Sequence, residues 1–269
     1  MSSAVSIVVE LRAKDGADLD KLAGIVRELV AESNAEVGCI YYTYLQKAET
    51  PSTFLFVEKW RDCAAVDSHE NSPHFKKLVP ELVNLIDIIY LKKFNYNENH
   101  IELEKAPLIS DLRVSTTVRL VVTVEVSEEL KFKDCAQKLV VESNKEDGCL
   151  EYNFCKSQSN PNEYIFIELW KDQHALDVHS SSSHCKSLIP ELDSCSKVTS
   201  VVKGHYFNNT TSEYIQGIDK YSKDHFLDNN GTYSVDQDIA YSHSGLYLKE
   251  LASGNFYFIH SLLLYDLFI

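Results

Sequence analysis

The hydrophobic pattern along the chain predicts the same series of elements twice. Val5 to Leu11 and Val118 to Val126 are rich in β-branched residues and predict opening strands. Asp18 to Asn34 sets Leu19, Leu22, Ile25, Val26, Leu29 and Val30 at helical spacing. Lys131 to Asn144 does the same with Phe132, Cys135, Ala136, Leu139 and Val140. Gly38 and Gly148 mark turns ahead of second strands at Cys39–Gln46 and Cys149–Lys156. Pro51 and Pro161 precede third strands at Phe54–Trp60 and Tyr164–Trp170. Asp62 and Asp172 are placed to cap a following helix. Ser72-Pro73 reads as a second helix start, and Ser182 takes the same cap role without the proline. Leu85–Phe94 and Val198–Phe207 close the two halves as fourth strands. The order β-α-β-β-α-β is the ferredoxin-like arrangement.

The residues repeat as well as the pattern. At a constant offset of 110, 22 of the 51 positions from 32 to 82 are identical in 142–192. They include Glu32-Ser33-Asn34, Gly38-Cys39, Glu58-x-Trp60-x-Asp62, His69-x-x-Ser72-x-His74 and Pro80-Glu81-Leu82. Two copies of one fold are expected over 1–95 and 113–207, joined by a polar, acidic linker at 96–112. Residues 208–269 match neither copy and read as a C-terminal extension that is polar at first and apolar at its end.

Composition narrows the function classes. With 26 Lys+Arg against 40 Asp+Glu, the formal charge is −14, and no basic cluster appears. Nucleic acid and anionic membrane surfaces are therefore not expected as partners. No apolar run approaches the roughly 20 residues a bilayer demands, and no export signal is visible, so a cytoplasmic protein is expected. The seven cysteines include no C-x-x-C pair, which gives no zinc or disulfide framework.

The third strands point to candidate chemistry. Leu55, Val57 and Lys59 alternate with Phe54, Phe56, Glu58 and Trp60. Ile165, Ile167 and Leu169 alternate with Tyr164, Phe166, Glu168 and Trp170. The aliphatic faces suit packing beneath helices, and the aromatic faces are expected to meet across paired sheets. Such pairing would make the chain an internal pseudo-dimer enclosing an aromatic space.

The pattern Gly-Cys-x-x-Tyr, then Phe-x-Glu-x-Trp-x-Asp-x-x-Ala, then His-x-x-Ser-x-His resembles the antibiotic biosynthesis monooxygenase family, of the dimeric α/β-barrel superfamily. The resemblance implies an α+β fold with two tandem ferredoxin-like repeats packed sheet to sheet as an intramolecular dimeric α/β barrel. It also implies oxidation of a quinol-like or polyphenolic aromatic substrate by O2 without metal or flavin. In that chemistry a base deprotonates the phenol in a dry setting. His69 and His179 are the candidate bases. Trp60, Trp170, Tyr42, Tyr152, Phe56, Phe166, Glu58, Glu168, His74 and His184 are the candidate substrate contacts. Each of these also has a packing or capping reading, and a barrel that only binds a hydrophobic metabolite or serves as an interaction scaffold is the alternative function. In the haem-degrading branch a helix tryptophan and a haem-ligating histidine are used. Here those sites fall at His69 or His179 and near Val79 or Ile189, so no haem is implied. The asparagine that some aromatic-ring oxidising members carry four residues before the strand tryptophan is Phe56 or Phe166 here. The halves differ at Phe75 and Cys185, Pro73 and Ser183, and Tyr41 and Glu151, which fits a working site in at most one of them.

Overall fold

The computed structural model describes residues 4–46, 52–97 and 117–205. In the first repeat β1 (Val5–Ala13), α1 (Leu19–Asn34), β2 (Cys39–Gln46), β3 (Thr53–Trp60), α2 (Cys63–Glu70), α3 (Pro73–Leu85) and β4 (Ile86–Tyr96) follow in order. The second repeat runs β5 (Val118–Val126), α4 (Glu129–Ser143), β6 (Cys149–Ser157), β7 (Glu163–Trp170), α5 (Gln173–Ser181), α6 (Ser183–Asp193) and β8 (Ser196–His205). Most boundaries fall within two or three residues of those expected. Tyr96, placed in the linker by sequence, instead ends β4. Asn97, also in the expected linker, follows β4 and donates to Gln137 Oε1 at 2.7 Å; residues 98–112, 206–207 and the C-terminal extension lie outside the described residues. Among the described residues no helix is long and apolar enough to cross a membrane.

Local chemistry explains the helix starts. Asp18 accepts from the Lys21 amide, and Asp62 and Asp172 accept from the Ala65 and Ala175 amides. Ser72 and Ser182 accept from the Phe75 and Cys185 amides, so short side chains satisfy the orphan N–H groups at these starts. Pro73, at the first turn of α3, has no N–H to lose there.

The eight strands form one antiparallel sheet in the order β2-β3-β1-β4-β6-β7-β5-β8. Each repeat supplies four neighbours in ferredoxin-like order. The seam between repeats is short, pairing Phe94 with Ser157, Asn95 with Lys156 and Tyr96 with Cys155. At the far ends β2 comes alongside β8, so the sheet curls into a barrel with the helices outside. Register shifts between Cys39 and Tyr41 and between Cys149 and Glu151 recur in both repeats, turning Tyr41 and Glu151 toward the barrel axis.

The two faces of the sheet are used in the opposite sense to that expected. Phe56, Trp60, Tyr42 and Tyr44 pack beneath the helices against Leu29, Val30, Val66 and Leu82. Phe166, Trp170, Tyr152 and Phe154 pack against Phe132, Leu139, Leu176 and Leu192. The aliphatic faces, with Leu55, Val57, Ile165 and Ile167, meet inside the barrel beside Val8, Phe94, Val121 and Val202. Alternation along a strand separates two faces without ranking them: the helices bury the ring-bearing face of the third strands, and the interior combines their aliphatic face with Tyr41, Phe94 and Tyr96. Lys59, alone among charges on the expected helix-facing stripe, was the sequence sign that this face does not lie under helices.

Candidate functional site

Each repeat assembles its candidate residues into one cluster beneath the corner where two helices meet the end of a strand. In the first repeat β3 delivers Glu58 and Trp60, and the Asp62 cap turns the chain into α2, which brings His69 back over the tryptophan. Trp60 is fully buried and His69 nearly so. Their rings lie 4.5 Å apart at 35°, with Tyr42 5.7 Å from His69 and Phe75 edge-on at 4.8 Å. The Trp60 indole N–H donates to Glu58 Oε2 at 2.8 Å. Glu36, from the turn after α1, stands 2.6 Å from His69 Nδ1 and 3.1 Å from His74 Nε2. An ionised carboxylate only accepts, so this contact assigns the His69 proton to Nδ1 and leaves the lone pair on Nε2. His69 Nε2 is buried and has no hydrogen-bond partner among the described residues.

The second repeat reproduces the frame. His179 lies 4.4 Å from Trp170 at the same 35° tilt and 5.3 Å from Tyr152. Trp170 donates to Glu168 at 2.9 Å, and Glu146 stands 2.5 Å from His179 Nδ1. The difference is at the far nitrogen. Cys185 occupies the position of Phe75, and its Sγ lies 3.3 Å from His179 Nε2. His184 Nε2 faces Ser182 Oγ at 3.3 Å and Glu146 at 3.7 Å.

These surroundings drive the titration of the two imidazoles apart. Burial pulls His69 below its ordinary value, the Glu36 contact only partly opposing it, so the ring is neutral at physiological pH. Burial acts the same way on His179, but there it is outweighed by the hydrogen bonds the ring makes to Cys185 and Glu146. The His179 value is pushed up to about 10. Burial also raises Glu58 to about 7, against the donors Trp60 and Tyr42, and raises Glu168.

The structure thus gathers Trp60, Tyr42, Phe56, Glu58, His69 and His74 in one cluster and Trp170, Tyr152, Phe166, Glu168, His179 and His184 in the other. Sequence reasoning missed Glu36 and Glu146, although both stand two residues before the repeated Gly-Cys. It also noted the change from Phe75 to Cys185 without giving it a partner.

A second polar constellation lies inside the barrel. Glu151 takes Lys59 Nζ and the hydroxyls of Tyr41 and Tyr96 at 3.3–3.4 Å on Oε1, and Arg119 Nη1 at 3.3 Å on Oε2. Lys59 also sits 4.2 Å over the Tyr96 ring, and Arg119 4.7 Å over Tyr41. Asn153, buried on the same face of β6, has no hydrogen-bond partner on either amide atom among the described residues.

A ferredoxin-like repeat doubled into one closed eight-stranded sheet with its helices outside makes this a small α/β-barrel protein. The Antibiotic biosynthesis monooxygenase family matches residues 4–81 and 117–190, more than half of the chain. This chain belongs to that family. Over 67 residues it is 30% identical to the Uncharacterized protein sll1783 of Synechocystis, covering 25% of this chain and 46% of that protein. Over 68 residues it is 26% identical to the Putative monooxygenase YcnE of Bacillus subtilis, covering 25% of this chain and 72% of YcnE. Among solved structures, a protein titled Putative monooxygenase from Lactobacillus acidophilus superposes with a TM-score of 0.60 at 19% identity, over 78% of this chain and 95% of its own. One of the same title from Fusobacterium nucleatum gives 0.61 at 14%, over 76% and 92%. At such identities the superpositions speak for the fold alone.

Proposed function

We propose that the chain is a monooxygenase that oxidises a small, electron-rich phenolic molecule, of the quinol or anthrone type, with O2, and that the first repeat carries the working site. The observation that carries this reading is the buried, unpartnered Nε2 of His69, set beside the Trp60 and Tyr42 rings. In this reading Nε2 takes the phenolic proton, Glu36 holds the imidazole in the required tautomer, and the flat substrate lies against the aromatic frame. The resulting electron-rich anion itself reduces O2. For an anthrone, the ring methylene becomes a carbonyl that keeps one oxygen atom, and the other leaves as water. His179 is unsuited to the same step, since its Nε2 already faces Cys185.

Oxygen uptake by the purified chain across a panel of hydroquinones and anthrones tests the reading. His69→Gln is expected to lower the rate by about 100-fold or more, in the range general-base catalysis supplies, and His179→Gln to leave most of it. No uptake above autoxidation would sink the reading. A second reading, a barrel that holds an uncharged polar metabolite, is favoured by the two unpartnered amide atoms of Asn153 in the barrel interior.

A further inference from the structure

The second repeat keeps the frame but surrounds its histidine with a different set of donors. Cys185, His179 and His184 each offer a ligand atom, all within 4.8 Å of one another. Cys185 Sγ and His179 Nε2 are 3.3 Å apart. In a tetrahedral site with bonds of about 2.3 Å to sulfur and about 2.0–2.1 Å to nitrogen, a sulfur–nitrogen edge is about 3.5 Å. The pair therefore needs almost no movement to share an ion. We propose that Cys185 Sγ, His179 Nε2 and a ring nitrogen of His184 bind a zinc-type divalent metal ion in the second repeat.

Three further features fit an ion there. Glu146 holds His179 Nδ1 at 2.5 Å, so Nε2, the nitrogen nearer the sulfur at 3.3 Å against 3.6 Å for Nδ1, is the one left for an ion, as an outer carboxylate leaves it in a metal-bound imidazole. A thiolate beside imidazole nitrogens is a borderline-soft donor set that suits zinc better than calcium or magnesium. The Glu146 and His184 side chains are each 16% exposed, so the cluster has a short route to solvent although Cys185 itself is buried. Binding replaces the proton shared between Cys185 and His179, which leaves to solvent. Three protein ligands leave a fourth position for water.

The first repeat is the internal comparison. Glu36, His69 and His74 are gathered within the same reach, but Phe75 stands where the sulfur would be. Glu36 is also 2.6 Å from His69 Nδ1, a hydrogen-bond distance well short of the roughly 3.4 Å edge of a tetrahedral zinc site. The metal site is independent of the oxidation proposed for the first repeat, and its readout requires no turnover.

Equilibrium dialysis of the full chain against Co2+, followed by absorption spectroscopy and displacement with Zn2+, tests the proposal. Cobalt is expected to bind with a sulfur-to-metal charge-transfer band and the intense visible bands of four-coordinate Co2+. Cys185→Ser should abolish the charge-transfer band, whereas Cys63→Ser, which removes an exposed thiol, should leave it intact. Glu146→Gln should weaken binding by about 10–100-fold. His184→Ala, near the surface, supplies a ligand deletion with little risk to folding and should weaken cobalt binding and alter the visible bands. Phe75→Cys should add a second charge-transfer site in the first repeat. Absence of the band in the unmodified chain, or its persistence in Cys185→Ser, would overturn the proposal.

Discussion

His69 and His179 stand in the same frame and differ in what meets the far nitrogen of the ring. Both lie at 35° to a buried tryptophan and both present Nδ1 to a glutamate from the turn after the first helix. One Nε2 has no partner among the described residues, and burial lowers its ring's affinity for a second proton. The other faces a cysteine and its ring is held protonated. The packing is the same in both repeats, and a single neighbouring position, Phe75 against Cys185, changes what the far side of the ring meets. The residues that recur in both repeats are therefore those that build the cluster, and the residues that differ change what its two histidines meet.

The same lesson holds inside the barrel, where Tyr41 and Glu151 occupy matching strand positions and touch each other across the interior. Lys59 and Arg119 converge on Glu151, and both ion pairs are almost wholly out of water. Removing one partner of such a buried pair strands the other, which generally costs about 3–5 kcal/mol. Glu151→Ala is expected to lose stability in that range by chemical denaturation. Tyr41→Phe, which removes one hydroxyl from the same constellation, should lose only about 1 kcal/mol. Equal losses would mean that the interior is not organised around the carboxylate, and the asymmetry between repeats would have no energetic content there.

A smaller effect separates the repeats through pH. Glu58 is raised by burial to about 7, with Trp60, Tyr42 and Lys93 favouring its charge and Glu70 opposing it. Since the folded chain holds this proton more tightly than the unfolded chain, the stabilisation is complete below about pH 4.5. It is lost as pH rises through 7. Glu58→Gln keeps an acceptor for the Trp60 indole and cannot ionise. At pH 8 it should gain about 2–3 kcal/mol relative to its difference from the unmodified chain at pH 5, from roughly 1.4 kcal/mol per unit. Glu168→Gln should gain less, because the neighbouring His179 charge already favours the Glu168 carboxylate. Equal gains would remove the electrostatic distinction drawn between the two clusters.

Much of this was legible in the sequence, and what was not has a physical cause. Periodicity and cap residues located the elements because those signals are local: Asp62, Asp172, Ser72 and Ser182 each act on an amide three residues away. The candidate residues were singled out because duplication repeats them in register, and the fold brings each set into one cluster. The orientation of the sheet was read backwards, since alternation separates two faces without saying which lies under the helices, and only Lys59 carried that information. Cys185 and Glu146 escaped because their contacts to His179 cross 6 and 33 residues and depend on how α5, α6 and the turn after α4 close together.

The turn glycines give the finest comparison of the two repeats. Gly38 and Gly148 occupy matching positions, and each lies against the alanine at the start of the helix that carries the histidine. A Cβ on Gly38 would come 2.3 Å from Ala65 Cβ, and one on Gly148 would come 2.7 Å from Ala175 Cβ. Only Gly148 also has a left-handed backbone, with φ of +90°, which an L side chain adopts at a penalty. Gly38→Ala and Gly148→Ala should each destabilise by about 1–3 kcal/mol through overpacking. The double variants tell the two causes apart. Pairing Gly38→Ala with Ala65→Gly removes the contact that forbids the methyl, so its coupling energy should recover most of the loss beyond the helix cost of the new glycine. Pairing Gly148→Ala with Ala175→Gly relieves the same kind of contact but leaves the φ penalty in place, so recovery should stop short. Full recovery in both would mean that close packing alone fixes the two turns; recovery in neither would show that the approach of strand and helix is not what requires glycine there.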